Sequence, residues 1–145
     1  LIEKGTRGGL VDSEKNLEQY DESWVDIKST VFRKARVENN SFIINSSIDD
    51  NVYISSSLLI DSTVRQNVQI IQSQCMSSLI HENSKIENSE LDCAHIYDDV
   101  EIFNSSFIEQ SSIKENVWID NCTIKECSLQ GNQKYKNKKL ELIHF

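Results

Sequence analysis

The sequence predicts an all-β fold: a single-stranded, three-sided parallel β-helix of 16–17 residues per coil. Three observations predict it. The segment Ser47–Ile54 recurs 16 residues on as Thr63–Ile70, and related segments follow at Ile80–Ile86, Ile96–Ile102 and, after a step of 17, Ile113–Ile119. A fixed period sustained this long is the mark of a solenoid. Within one repeat the apolar residues fall at Ile48, Ile54, Leu59 and then Val64, a hexapeptide-like spacing that divides each coil into three short strands. Apolar residues alternate with polar ones at period 2, and Ser, Asn and β-branched residues dominate, which excludes helix over the repeats.

The 145 residues make one domain. Residues 1–30 read as an N-terminal cap with a first partial coil. Residues 31–132 read as the coils, about six of them between Val31 and Gln130. Residues 133–145 read as a C-terminal cap: a basic shoulder of Lys134, Lys136, Lys138 and Lys139, then the apolar Leu140–Phe145 to cover the last open coil.

Three inward columns are expected to form the core. The first is Ile48, Val64, Ile80, Ile96 and Ile113. The second is Ile54, Ile70, Ile86, Ile102 and Ile119, and the third is Leu59, Cys75, Leu91, Phe107 and Ile124. Each residue stacks on its equivalent at the strand spacing of ~4.8 Å. One corner column reads Asn51, Asn67, Asn83, Asp99, Asn116 and Asn132, and another reads Ser57, Ser73, Ser89, Ser105 and Cys122. Asparagine suits a tight corner because it tolerates left-handed backbone and its amide reaches the next coil. The regularity of the Asn/Asp column favours corner building over a metal ladder, so no metal site is expected.

The formal net charge is -8, which excludes direct nucleic-acid binding through bulk positive charge. No stretch approaches the ~20 apolar residues of a membrane span, so no membrane partner is expected. The cysteines Cys75, Cys93, Cys122 and Cys127 match no zinc spacing and read as reduced structural thiols of a cytoplasmic protein. The only methionine is Met76, so the sequence reads as one that has lost residues before Leu1.

The opening departs from the coils. Gly5, Gly8, Gly9, Leu10 and Val11 are followed by Asn16-Leu17 and Trp24-Val25. This order resembles the YdcK-like proteins, β-helix members of the hexapeptide-repeat group of bacteria and their phages. The likeness covers the opening and runs loosely through the coils to about Asn132. The resemblance implies a left-handed β-helix. It also implies a strand before the double glycine, which this sequence lacks, in keeping with truncation or processing. It implies no firm activity.

Many hexapeptide-repeat proteins are acyltransferases that use a histidine as general base beside an acyl-coenzyme A slot. His81 is the weak catalytic candidate here, and an acyltransferase or a degenerate relative is the alternative reading. The period varies only from 16 to 17, which leaves no loop to build a pocket. No catalytic set and no cofactor site is therefore assigned.

The outward positions carry more. Tyr53, Ile71, Phe103 and Trp118 are expected on one face, and Leu58, Ile60, Met76 and Ile108 on a second. So many apolar residues at outward sites point to a covered surface, a protein partner or a homo-oligomer seam. Asp50, Glu82, Asp98 and Glu115 form an acidic corner column that would set charge preference. The expected function is a non-catalytic interaction protein. The phage distribution of the resembled group extends this to an inhibitor of a host nucleic-acid-handling protein, with a structural, oligomer-forming role as a third reading.

Overall fold

The computed structural model describes residues 2–3, 5–81, 84–87, 90–92, 95–96, 101–103, 108–109, 112–113, 118–120, 123–125, 128, 134 and 136. The chain winds through short strands in a repeating order. It opens with β1 (Leu10–Val11), a 3-10 turn (Glu14–Asn16) and β2 (Trp24–Val25). Then come β3 (Thr30–Val31), β4 (Arg36–Glu38) and β5 (Phe42–Ile44), followed by β6 (Ser47–Ile48), β7 (Tyr53–Ser55) and β8 (Leu58–Ile60). The next turns are β9 (Thr63–Arg65), β10 (Gln69–Ile71) and β11 (Gln74–Met76), then β12 (Leu79–His81), β13 (Lys85–Glu87) and β14 (Glu90–Asp92). After these come β15 (His95–Ile96), β16 (Glu101–Phe103) and β17 (Ile108–Glu109), and last β18 (Ser112–Ile113), β19 (Trp118–Asp120) and β20 (Ile124–Lys125).

Every third strand pairs in parallel, giving three sheets. Sheet A runs β1-β3-β6-β9-β12-β15-β18, sheet B runs β4-β7-β10-β13-β16-β19, and sheet C runs β2-β5-β8-β11-β14-β17-β20. This is a parallel β-helix, as the repeat predicts.

The inward columns follow the predicted register. Val31, Ile48, Val64 and Ile80 line sheet A, Val37, Ile54, Ile70 and Ile86 line sheet B, and Val25, Ile43, Leu59 and Cys75 line sheet C; all are buried. Burial of each aliphatic side chain contributes about 1.5–3 kcal/mol, so the stacked columns are the main source of stability.

One expected position is corrected. Ile108, expected to point outward, is the register partner of both Leu91 and Ile124 and so occupies the inward column. The step is 16 between Ile86 and Ile102 but already 17 between Leu91 and Ile108. The extra residue therefore enters before β17, not after it. Phe107, expected inward, lies outside the described residues.

Corners are built by two adjacent residues. The first takes left-handed backbone: Asp50, Gln66, Ser56, Gln72, Asn45, Asp61 and Ser77 all have φ between 46° and 65°. The left-handed position is thus Asp50 and Gln66, one residue ahead of the Asn51 and Asn67 column, although Asn67 shares it. The Asn51 amide does reach the next coil, donating to Asn67 Oδ1 at 3.1 Å.

At the other two corners the second residue is a buried serine. Ser57 N–H donates to Ser41 Oγ at 3.1 Å and Ser73 N–H to Ser57 Oγ at 3.1 Å. A parallel ladder runs from Ser29 through Ser46 and Ser62 to Ser78 at 2.9–3.2 Å. Each hydroxyl in turn donates to the carbonyl two residues back, Ser46 to Ile44 and Ser62 to Ile60 among them. A hydroxyl that both accepts and donates satisfies two buried backbone groups that would otherwise be orphaned at the corner.

The opening motif closes the N-terminal end. Gly9 N–H donates to Val25 O at 2.9 Å, beneath β2. A Cβ on Gly9 would fall against the carbonyl oxygens of Asp26 and Ser29, which is why this position lacks a side chain. Asn16 is buried beneath β4, where its Nδ2 donates to Arg33 O at 3.0 Å and Ala35 O at 2.7 Å.

Candidate interaction face

The alternation that buries Leu59 forces Leu58 and Ile60 outward, and the same holds on either side of Ile43 and Cys75. On sheet C the register then aligns two outward columns. Trp24, Phe42 and Leu58 form one, and Ile44, Ile60 and Met76 form the other. The first five are half-buried, shielding one another, and Met76 is 37% exposed. These six side chains make a continuous apolar strip across β2, β5, β8 and β11.

Leu58, Ile60 and Met76 were legible in the sequence as outward. Trp24, Phe42 and Ile44 were not assigned to the face. Their signal is the same outward–inward alternation, but a step of 18 from Val25 to Ile43 takes it out of the 16-residue register.

Sheet B holds the other expected face. Its outward columns read Arg36, Tyr53, Gln69, Lys85, Glu101 and Trp118, and Glu38, Ser55, Ile71, Glu87, Phe103 and Asp120. Apolar residues are interrupted by charge at almost every rung. Tyr53 donates its hydroxyl to Glu38, which Arg36 also holds at 2.6 Å, and that hydrogen bond raises the Tyr53 pKa. Trp118 is 41% exposed, four rungs away, with Lys134 Nζ 6.0 Å from its ring centre.

The acidic corner column is compensated where it begins. Arg33 pairs with Asp50 and lies 3.5 Å from Asp49, and these carboxylates raise the guanidinium pKa. Glu82, Asp98 and Glu115 lie outside the described residues. His81 ends β12 in register with Arg65.

Two carboxylates near the N-terminus act as staples. Asp21 accepts from Ser23 N at 2.7 Å and from the backbone N–H groups of Asn39 and Asn40, both left-handed residues. Asp26 accepts from the Ser29 hydroxyl and from Asn45 N at 2.9 Å. Partial burial opposes ionisation of both, but these hydrogen bonds outweigh it and lower both pKa values.

Beside Trp24 and Phe42 a hollow of about 350 Å³ opens toward the N-terminal residues, lined also by Glu3, Asp21 and Glu22. A larger hollow of about 500 Å³ lies between the 3-10 turn and Arg33–Arg36. Its two arginines already face carboxylates, Arg33 with Asp49 and Asp50, and Arg36 with Glu18 and Glu38. Among the described residues no three His, Cys, Asp or Glu side chains are placed to hold a metal ion. No described helix is long and apolar enough to cross a membrane. No protein-family model matches the chain, and no curated protein matches it.

Proposed function

We propose that the chain is a non-catalytic interaction protein of the YdcK-like, hexapeptide-repeat kind. It presents one side of a rigid rod to another protein. The observation that carries this reading is the apolar strip on sheet C, where Trp24, Phe42 and Leu58 lie beside Ile44, Ile60 and Met76 on neighbouring parallel strands. An aromatic-rich apolar core within a polar surface is the usual anatomy of a protein contact. The net charge of -8 adds a preference for a basic target. The reading extends to a phage- or prophage-encoded inhibitor acting in the cytoplasm, which occupies the basic groove of a host nucleic-acid-handling protein.

The test is affinity purification from the native host with wild-type chain and with Ile60→Arg, followed by identification of what is retained. A nucleic-acid-binding protein held by the wild type, lost with Ile60→Arg and inhibited by added chain is the expected result. Thioester consumption that disappears in His81→Ala would replace this reading with the acyltransferase one. A homo-oligomer that Ile60→Arg converts to monomer would replace it with the structural one.

A further inference from the structure

We infer that the occupant of sheet C is a partner-protein segment whose apolar side chains are flanked at both ends by lysine or arginine. The inference rests on the proposed contact role of this face and adds the chemistry of what it holds.

The strip is bracketed by negative charge. At its N-terminal end, Trp24 and Phe42 border the hollow lined by Glu3, Asp21 and Glu22. Asp21 is kept ionised by its hydrogen bonds, and Glu22 is exposed. Aromatic rings with carboxylates at their margin are a cation site: the ring faces attract the charge and the carboxylates neutralise it. At the other end, the column of Leu58 continues through Gln74 to Glu90, and the column of Ile60 continues through Met76 to Asp92. The next acid, Glu109, is in register with Lys125, so the bracket is Glu90 and Asp92.

The strands of sheet C carry no Lys or Arg before Lys125. On sheet B, by contrast, Arg36 and Lys85 lie within ion-pair distance of Glu38 and Glu87. Sheet C thus lacks the intramolecular cations of its neighbour at the positions where its acids flank an apolar surface. From β2 to β14 is four strand spacings, roughly 19 Å. One extended segment of about six residues spans that distance.

The probe is a fluorescent peptide of alternating leucine and serine with a lysine pair at each end, compared with a counterpart carrying glutamate pairs. Binding to the full chain is read by anisotropy at low salt. The lysine peptide is expected to bind at least about tenfold more tightly than the glutamate peptide. Glu90→Lys with Asp92→Lys should erase that preference, and Glu101→Lys on sheet B should leave it intact. Ile60→Arg or Met76→Arg, each checked for folding by circular dichroism, should abolish binding.

Equal binding of both peptides, lost with Ile60→Arg, would overturn the charge bracket while leaving the apolar contact face standing. Binding that survives both Ile60→Arg and Met76→Arg would overturn the face as well. Binding of neither peptide, or a chain that light scattering shows self-associated through Ile60, would overturn the inference.

Discussion

Ser62 donates its backbone N–H to the hydroxyl of Ser46, one coil away, at 2.9 Å. Ser46 passes its own proton to Ile44 O at 2.7 Å. The hydroxyl is a splice between coils, repeated down two corners of the rod. It explains why serine is buried here, against its ordinary preference for the surface.

Ser46→Ala should therefore cost about 1–3 kcal/mol, because it strands a buried N–H on Ser62. Ser47→Ala, one residue on and facing outward, should cost under about 0.5 kcal/mol. Urea denaturation of both variants checks the contrast. Equal costs would show that the ladder adds nothing.

Gly9→Ala places a methyl against two backbone oxygens that cannot move independently. The expected loss is about 3 kcal/mol, confined to the opening coil. Gly5 has open space around it but φ of 94°, so Gly5→Ala should cost only about 1 kcal/mol, through strain. Limited proteolysis of the N-terminal segment ranks the two, with Gly9→Ala cut fastest.

Acid should loosen the N-terminal end first. Asp21 and Asp26 both have folded pKa values below the usual carboxylate value, while an unfolded aspartate titrates near ~3.9. Their stabilisation is complete above the unfolded value and is lost as pH falls through the folded ones. Exchange of the amide hydrogens of Asn40 and Asn45, corrected for its intrinsic pH dependence, should accelerate below about pH 4. Asp26→Asn should flatten the profile at Asn45 alone.

Cys75 should be chemically silent in the native chain. Burial within the sheet C column pushes its thiol pKa up to about 12, so almost no thiolate forms near neutrality. Peptide mapping after iodoacetamide treatment should find Cys75 unmodified without denaturant and fully alkylated with it. Native alkylation would mean that the column opens.

Much of the fold was legible because the inward positions repeat with so little variation. Ile48, Val64 and Ile80 specify one register, since a slip by one residue would expose the whole column. The register failed at Phe107 and Ile108, where two adjacent apolar residues leave the choice of inward residue to the turn before them. The opening coil was hidden for a different reason. Leu10 pairs with Thr30 at a step of 20, and Val25 with Ile43 at a step of 18, so Trp24 and Phe42 fall outside the period. The serine ladders were hidden because the partner that explains each hydroxyl is a backbone group one coil away. Asp50 looked like a bare acid because Arg33, which pairs with it, lies a coil earlier.

The uniform parallel pairing gives the rod a ruler-like property. Where the step is a constant 16, as from Ile43 to Leu59 and on to Cys75, each added coil lengthens the molecule by one strand spacing, ~4.8 Å, without rotating one side against another. Insertion or deletion of a whole coil would keep both hydroxyl splices in phase. The distance from the Trp24 end to the Glu90 rung is therefore quantised: reach changes by whole increments while the chemistry at each end stays the same. A family of such rods could be graded in length to match targets of different spans, each differing from the next by one unit of 16 residues.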